Sequence, residues 1–327
     1  MPQWSMPRQC TGIKNRRSFA SRSSRCLKTK AAKDSLASTF RLRGQIGIRN
    51  MRKSRAAFVL AGLYLAVVFF ARLPDHLILF PSTAAIDTRG AVRKAVPFEN
   101  GQLELWTAKS QLAQKSGHPE VYVLRFYGNA DRAERWVSAE ADSWNERAVE
   151  IWGMNYPGFG GSTAPAKLSR VGPAAITAFD VLQNEAKDRP IVIFGASLGT
   201  TAALHVAAHR PVAGLILHNP PALRQMILRQ FGWWNLWLLA GPLSLQIPKE
   251  LDSVANSKTI HARAIFLLAE KDEVVAPRYQ HLVVNAYAGE KRIITLRGAN
   301  HNTPIEDVAL ADLSNALDWL LPRSEQR

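Results

Sequence analysis

The sequence predicts an α/β fold, with a mostly parallel central sheet and helices on both faces, and three observations carry that expectation. Between residues 77 and 321, short apolar runs alternate with segments of helical length and pattern. One run, Ile191-Val192-Ile193-Phe194, ends in Gly-Ala-Ser-Leu-Gly and leads at once into the helix-forming stretch Thr200–His209. A Trp-rich segment, 220–260, interrupts the alternation between two later strands and reads as an insertion.

Taken in order, the chain opens on a basic segment. Residues 1–55 carry fifteen Lys and Arg against one acid, Asp34, and are rich in Ser with little apolar periodicity, which predicts disorder. The formal charge of +16 is therefore local: 42 − 15 = 27 basic and 26 − 1 = 25 acidic groups leave the other 272 residues near neutrality. A basic arm for nucleic acid or anionic lipid, a targeting segment, and sequence lying ahead of a later start at Met51 are the three readings of this tail. Both cysteines, Cys10 and Cys26, lie within it, so the folded part has neither a disulfide framework nor a Cys/His zinc spacing.

Ala56 to Ala71 contains no charge. Sixteen residues fall just below the roughly 17–25 of a membrane-spanning helix, but Arg72 can extend the span by reaching to the interface. With the basic flank on its N-terminal side, residues 56–73 read as an uncleaved signal anchor with the rest of the chain on the non-cytoplasmic side. A cleaved leader is the competing reading, although Ser82-Thr83-Ala84 makes a poor cleavage site.

The catalytic-sized body spans 77–323. Val96–Phe98 and Leu103–Thr107 flank Glu99-Asn100-Gly101 and predict a hairpin. Strands are expected at Val121–Tyr127, Val149–Met154, Ile191–Phe194, Val212–His218, Ala264–Ala269 and Arg292–Leu296. Helices are expected around Ala133–Arg147, Gly172–Lys187, Thr200–His209, Arg278–Tyr287 and Glu306–Leu321.

Strand, Gly-x-Ser-x-Gly, helix is the context of a nucleophile elbow. To present a hydroxyl on so sharp a turn, Ser197 must adopt a strained backbone. Its neighbours two residues away approach so closely that a Cβ would collide, hence Gly195 and Gly199. The helix that follows aims its N-terminal N–H groups at the site, where developing negative charge would be stabilised. His205 and His209 share a helix face, but Val206 stands where a zinc-binding H-E-x-x-H would need Glu, so the pair reads as helix surface and no metal is expected.

Leu79-Phe80-Pro81-Ser82, Phe126-Tyr127-Gly128-Asn129-Ala130, Asn155-Tyr156-Pro157-Gly158-Phe159-Gly160-Gly161-Ser162, the elbow, Glu270-Lys271-Asp272 and Gly298-Ala299-Asn300-His301-Asn302 together resemble the α/β-hydrolases, most closely the membrane-anchored serine hydrolases of the Bem46 and ABHD groups. The resemblance covers about residues 77–321 and implies the α/β-hydrolase fold with a helical cap at 220–260. It also implies serine-hydrolase chemistry without metal or organic cofactor. Such enzymes order their catalytic groups as Ser, acid, His. Ser197, Asp272 after one strand and His301 after the next follow that order, with Glu270 and Glu273 as alternative acids.

A tetrahedral oxyanion needs two preorganised donors. The backbone N–H of Leu198 is one, and Asn129, in the loop after Val121–Tyr127, is the other, with Ala130 its neighbour. Tyr127-Gly128-Asn129 stands where the related enzymes have His-Gly-Asn, and Thr200 follows the elbow where they have Gly. The Tyr156–Ser162 turn reads as a structural wall. Tyr127, Tyr156, Trp233 and Trp237 are the candidate substrate contacts, the two tryptophans serving either as core packing or as contacts for an acyl chain or lipid.

The sequence thus points to hydrolysis of ester or thioester bonds in apolar acyl substrates at a membrane, with no nucleic-acid partner expected. A peptidase or amidase on the same fold is one alternative. A non-enzymatic membrane protein that binds anionic lipid or nucleic acid through its basic arm is the other.

Overall fold

The structure, a computed structural model, describes residue 51 and residues 53–70, 72–144, 146–233 and 238–322. Most of the basic segment 1–55, with both cysteines, lies outside these residues. The chain divides into two units, Met1–Tyr64 and Leu65–Arg327.

Eight strands make up the sheet: β1 (Val92–Phe98), β2 (Gly101–Lys109), β3 (Val121–Phe126), β4 (Val149–Met154), β5 (Ile191–Ala196), β6 (Gly214–His218), β7 (Ala264–Ala269) and β8 (Lys291–Leu296). Their order is β1-β2-β4-β3-β5-β6-β7-β8. The β1–β2 hairpin is antiparallel and β2 lies antiparallel to β4, while every other pairing is parallel. β3, β4 and β7 are buried at every position, as strands covered on both faces must be.

Alternation along each strand sorts the side chains into two cores. The first helix over the sheet, α1 (Ala133–Ser143), covers one face together with α5 (Glu306–Leu320), packing on Val121, Val123, Ile151 and Ile265. The other face carries Leu124, Phe126, Trp152 and Phe266. It is covered by α2 (Leu168–Ala186), α3 (Leu198–His209) and α4 (Pro277–Ala286).

The hairpin strands are longer than the local pattern suggests, because the ladder continues through the exposed Arg93 and the half-buried Lys94. The start of α2 also lies earlier than expected, at Leu168, with Pro173 inside the helix. Its first turn is capped from a distance, since the Leu168 N–H donates to Asp75 Oδ1 at 2.8 Å. A cap from 93 residues away leaves no local trace in the sequence.

The cap at 220–260 is a chain of short helical turns: Leu223–Met226, Ile227–Phe231, Ala240–Leu245, Lys249–Leu251 and Ser253–Ser257. Trp233, Leu238 and Leu245 are 62%, 67% and 76% exposed, so a lid packed down on the core does not describe this part of it. Trp234 and Trp237 lie outside the described residues.

Lys53–Phe70 is helical, and long and apolar enough to cross a membrane. Beyond it, residues 73–84 belong to the hydrolase-sized unit. Leu79 is buried in the main core, Phe80 N–H donates to Asn129 O at 3.0 Å, and Gly160 N–H donates to Ser82 O at 2.9 Å. Arg132 Nη1 adds a bond of 2.5 Å to Ala84 O.

A chain beginning at residue 85 should therefore express as unfolded or aggregated protein, whereas one beginning at residue 72 should give a cooperative thermal transition. Circular dichroism on the two truncations checks this.

Candidate active site

The site is assembled where β3, β5, β6, β7 and β8 end. Ser197 sits between β5 and α3 with φ 50° and ψ −122°. A non-glycine residue held there carries on the order of 1–3 kcal/mol of strain. Tight packing maintains it. A Cβ on Gly195 would lie 2.7 Å from Gly199 O and Thr200 Cα, and one on Gly199 would lie 2.2 Å from Phe126 O. Ser197 N–H donates to His218 O at 2.8 Å, and Ser197 O accepts from both the amide and the hydroxyl of Thr200, at 3.0 and 2.7 Å. The Thr200 hydroxyl thus supplies an extra bond to the turn.

His301 lies in the loop after β8. Its Nε2 is 3.0 Å from Ser197 Oγ and its Nδ1 is 2.7 Å from Asp272 Oδ2. The Asp272 side chain is fully buried and that of His301 is 14% exposed, so one end of the line is dry and the other reaches solvent. Asp272 Oδ1 accepts the amides of Val274 and Val275 at 2.9 and 2.7 Å, and Oδ2 also accepts Gln280 Nε2 at 3.1 Å. Four donors fix the carboxylate, and burial keeps those bonds strong.

Glu270, the nearest alternative acid, has another task. Its Oε2 accepts Gly298 N–H at 2.8 Å, and with the bond from Lys271 N–H to Ala299 O (2.8 Å) it ties the loop of the acid to the loop of the histidine. Asn219 reinforces the join, accepting Ala269 N–H at 2.8 Å and donating to His301 O at 3.4 Å. Neither Gln280 nor Asn219 was legible as a site residue. Asn219, at φ 51° before two prolines, carries a turn signal; Gln280, on the buried face of α4, carries none.

Leu198 opens α3, so its N–H belongs to the unpaired first turn beside Ser197. The loop holding Asn129 passes the serine closely, since a Cβ on Gly128 would lie 4.0 Å from Ser197 Cβ. The Asn129 side chain donates to Ile78 O at 2.9 Å, so the backbone N–H is the group of this residue offered to an oxyanion.

Tyr127 and Tyr156 are differently placed from the expectation of substrate contacts. Both are buried to within 2%. The Tyr127 hydroxyl donates to Glu140 Oε2 at 2.9 Å and the Tyr156 hydroxyl to Tyr127 O at 2.9 Å, so both phenols hold the loop rather than face a ligand. The expected structural role of the Tyr156–Ser162 turn has a physical basis. Its Gly161 N–H, Asn155 Nδ2 and Arg93 Nε all donate to the buried Glu104 carboxylate, at 2.7, 2.7 and 2.5 Å. These bonds bring Glu104 below the usual carboxylate range although burial alone would raise it. Asn155 also bridges to Glu134 at 2.8 Å, and Glu134 pairs with Arg132.

His205 is buried rather than on the helix surface, 4.4 Å ring to ring from the exposed His209. Burial, with the His209 ring beside it, pulls His205 down to about 4. His218, at the end of β6, is pulled down to about 3 by burial and then by the Arg125 and His301 charges. Among the described residues no three His, Cys, Asp or Glu side chains converge as metal ligands.

Residues 123–322 match the family described as alpha/beta hydrolase fold. The chain is 27% identical over 271 residues to an uncharacterized protein of Mycobacterium tuberculosis H37Rv, covering 78% of this chain and 91% of that one. In three dimensions it is similar to the Pyrococcus furiosus esterase Pf2001, with a TM-score of 0.53 at 12% identity over 75% of this chain and 97% of that one. It is also similar to the Pyrococcus horikoshii acylaminoacyl peptidase, with a TM-score of 0.54 at 12% identity over 72% of this chain and 42% of the peptidase, which is much the longer protein. At such identities the likeness is one of fold.

The two buried histidines dictate a pH response. Each is neutral when folded and binds a proton when unfolded below its ordinary value of 6.5, so stability is complete above that value and falls as pH drops from 6.5 toward 4. At pH 5 each should have removed about 2 kcal/mol. Urea unfolding at pH 7 and pH 5 should register this loss, and His205→Gln should remove roughly half of the difference.

Proposed function

The chain belongs to the alpha/beta hydrolase fold family, and on that premise we propose that it is a serine hydrolase cleaving ester or thioester bonds of apolar acyl substrates. The single observation that carries the proposal is the continuous hydrogen-bonded line Asp272–His301–Ser197 at the strained turn.

In this mechanism His301 carries its proton on Nδ1, donated to Asp272, which leaves the Nε2 lone pair facing Ser197 Oγ. Ser197 Oγ attacks the substrate carbonyl as Nε2 takes its proton, and the new oxyanion receives the N–H groups of Leu198 and Asn129. The tetrahedral species collapses as His301 returns the proton to the leaving alcohol or thiol. Water, deprotonated by the same Nε2, then releases the acid and regenerates the serine. Asp272 stabilises the imidazolium in both halves. These steps call on no metal or organic cofactor.

An apolar acyl group is favoured by the cap that follows β6, whose Trp233 and Leu238 present apolar surface to solvent. The helix Lys53–Phe70 is consistent with a single-pass anchor that keeps the hydrolase unit at the membrane, and the basic flank on its N-terminal side favours the non-cytoplasmic side. The basic residues before it serve orientation in this reading, without nucleic acid. Amide hydrolysis would use the same three side chains, and substrate assays separate the two.

A fluorophosphonate probe should label the natural chain and fail to label Ser197→Ala. If the folded natural chain does not label, the proposal fails. Asp272→Asn should label far more slowly and lower kcat by about 10³–10⁴. Across p-nitrophenyl esters, Trp233→Ser should reduce turnover of long acyl chains several-fold more than acetate; equal losses would argue against an acyl contact at the cap.

A further inference from the structure

Arg125 is an unexpected residue for its position. It lies near the end of β3, between strands β4 and β5, and is 6% exposed. A charge there must be paired to be tolerated. Its Nε donates to both oxygens of Glu140 on α1, at 3.0 and 3.1 Å. The guanidinium carbon lies over two rings, 4.5 Å from the centroid of Tyr127 and 3.9 Å from that of Phe194. Tyr127 closes the set by donating its hydroxyl to Glu140.

A second nitrogen of Arg125 reaches backbone. Nη1 bonds Phe126 O at 2.9 Å and Phe194 O at 3.4 Å. Phe126 leads directly into the Tyr127–Asn129 loop, and Phe194 leads into Gly195 of the elbow. Phe126 O is also the atom against which Gly199 is packed. One guanidinium therefore spans the two stretches of backbone that carry the Asn129 and Leu198 N–H groups.

We propose that Arg125, held by Glu140 and Tyr127, is a positioning residue that sets the spacing between the two halves of the oxyanion site. It touches no reacting atom and acts through the carbonyls of Phe126 and Phe194. The inference rests on the serine-hydrolase reading. Stability alone does not call for such a cluster, because a buried ion pair replaced by apolar residues of similar volume is often neutral or stabilising. What apolar residues cannot reproduce is the directional bond to two particular carbonyls. Oxyanion donors need placement within about 0.5 Å. The cluster also gives a physical role to Tyr127, which stands where the related enzymes have His: its ring stacks on Arg125 and its hydroxyl orients Glu140.

The test compares the full-length natural chain with Arg125→Met/Glu140→Leu, each titrated with a fluorophosphonate so that turnover of a p-nitrophenyl ester is expressed per labelled site. The expected result is a fall in kcat of about 10–100-fold, short of the 10²–10³ for outright loss of an oxyanion donor. KM should stay within about twofold, because the clamp does not touch the bound substrate. A merely structural role would lower the labelled fraction and leave kcat per labelled site intact. Should the double variant not fold, Tyr127→Phe and Glu140→Gln, which keep the packing volume, carry the same test with a smaller expected loss. Full kcat per labelled site in any folded variant overturns the inference. Failure of the natural chain to label removes the underlying hydrolase reading instead, and this one with it.

Discussion

The contact of Gly199 with the end of β3 is the constraint on which the site depends. With no room for a side chain between Gly199 and Phe126 O, the first turn of α3 is pressed onto the neighbouring strand. That pressure holds Ser197 at φ 50° and lifts its hydroxyl above the sheet. The same contact brings the Asn129 loop beside the serine, because the loop is the direct continuation of β3. Strained geometry at one residue is thus maintained by dense packing at its neighbours, as strain at functional sites generally must be.

Around this contact, several buried charged groups gather in hydrogen-bonded clusters. Asp272 accepts four bonds, Glu104 is held by Arg93, Asn155 and Gly161, and Arg125 lies between Glu140 and two rings. Each cluster ties a strand to segments remote from it in the chain, and so gives direction where apolar packing alone would give only density. The segment 73–84 participates as well, through Ile78, Phe80, Ser82 and Ala84, so the stretch that follows the apolar helix is continuous with the scaffold of the site.

Much of this was legible beforehand, and the reasons are local. Ser197 was identifiable because an elbow requires glycine two residues away on each side, next to a strand and a helix. The order of the parallel strands' ends made Asp272 and His301 readable once their strands were recognised. The sheet itself followed from apolar runs short enough to be strands, which alternate with helix-length segments. The early start of α2 was not legible, since its capping group Asp75 lies far away in the chain. The burial of His205, Tyr127 and Tyr156 was equally hidden, because one loop tyrosine looks like another until the elements packed on it are known.

The amino-acid order by itself determined the α/β class, the strained Gly-x-Ser-x-Gly turn at Ser197 and the placing of an acidic loop and then His301 after two later strands, because each is encoded by residue type at short range. Only the tertiary structure decided which carboxylate meets the imidazole, which phenols become scaffold, and that a buried arginine bridges the ends of β3 and β5. Those outcomes depend on distances between segments that are remote in sequence. Such distances are set by the packing of the two cores against one sheet.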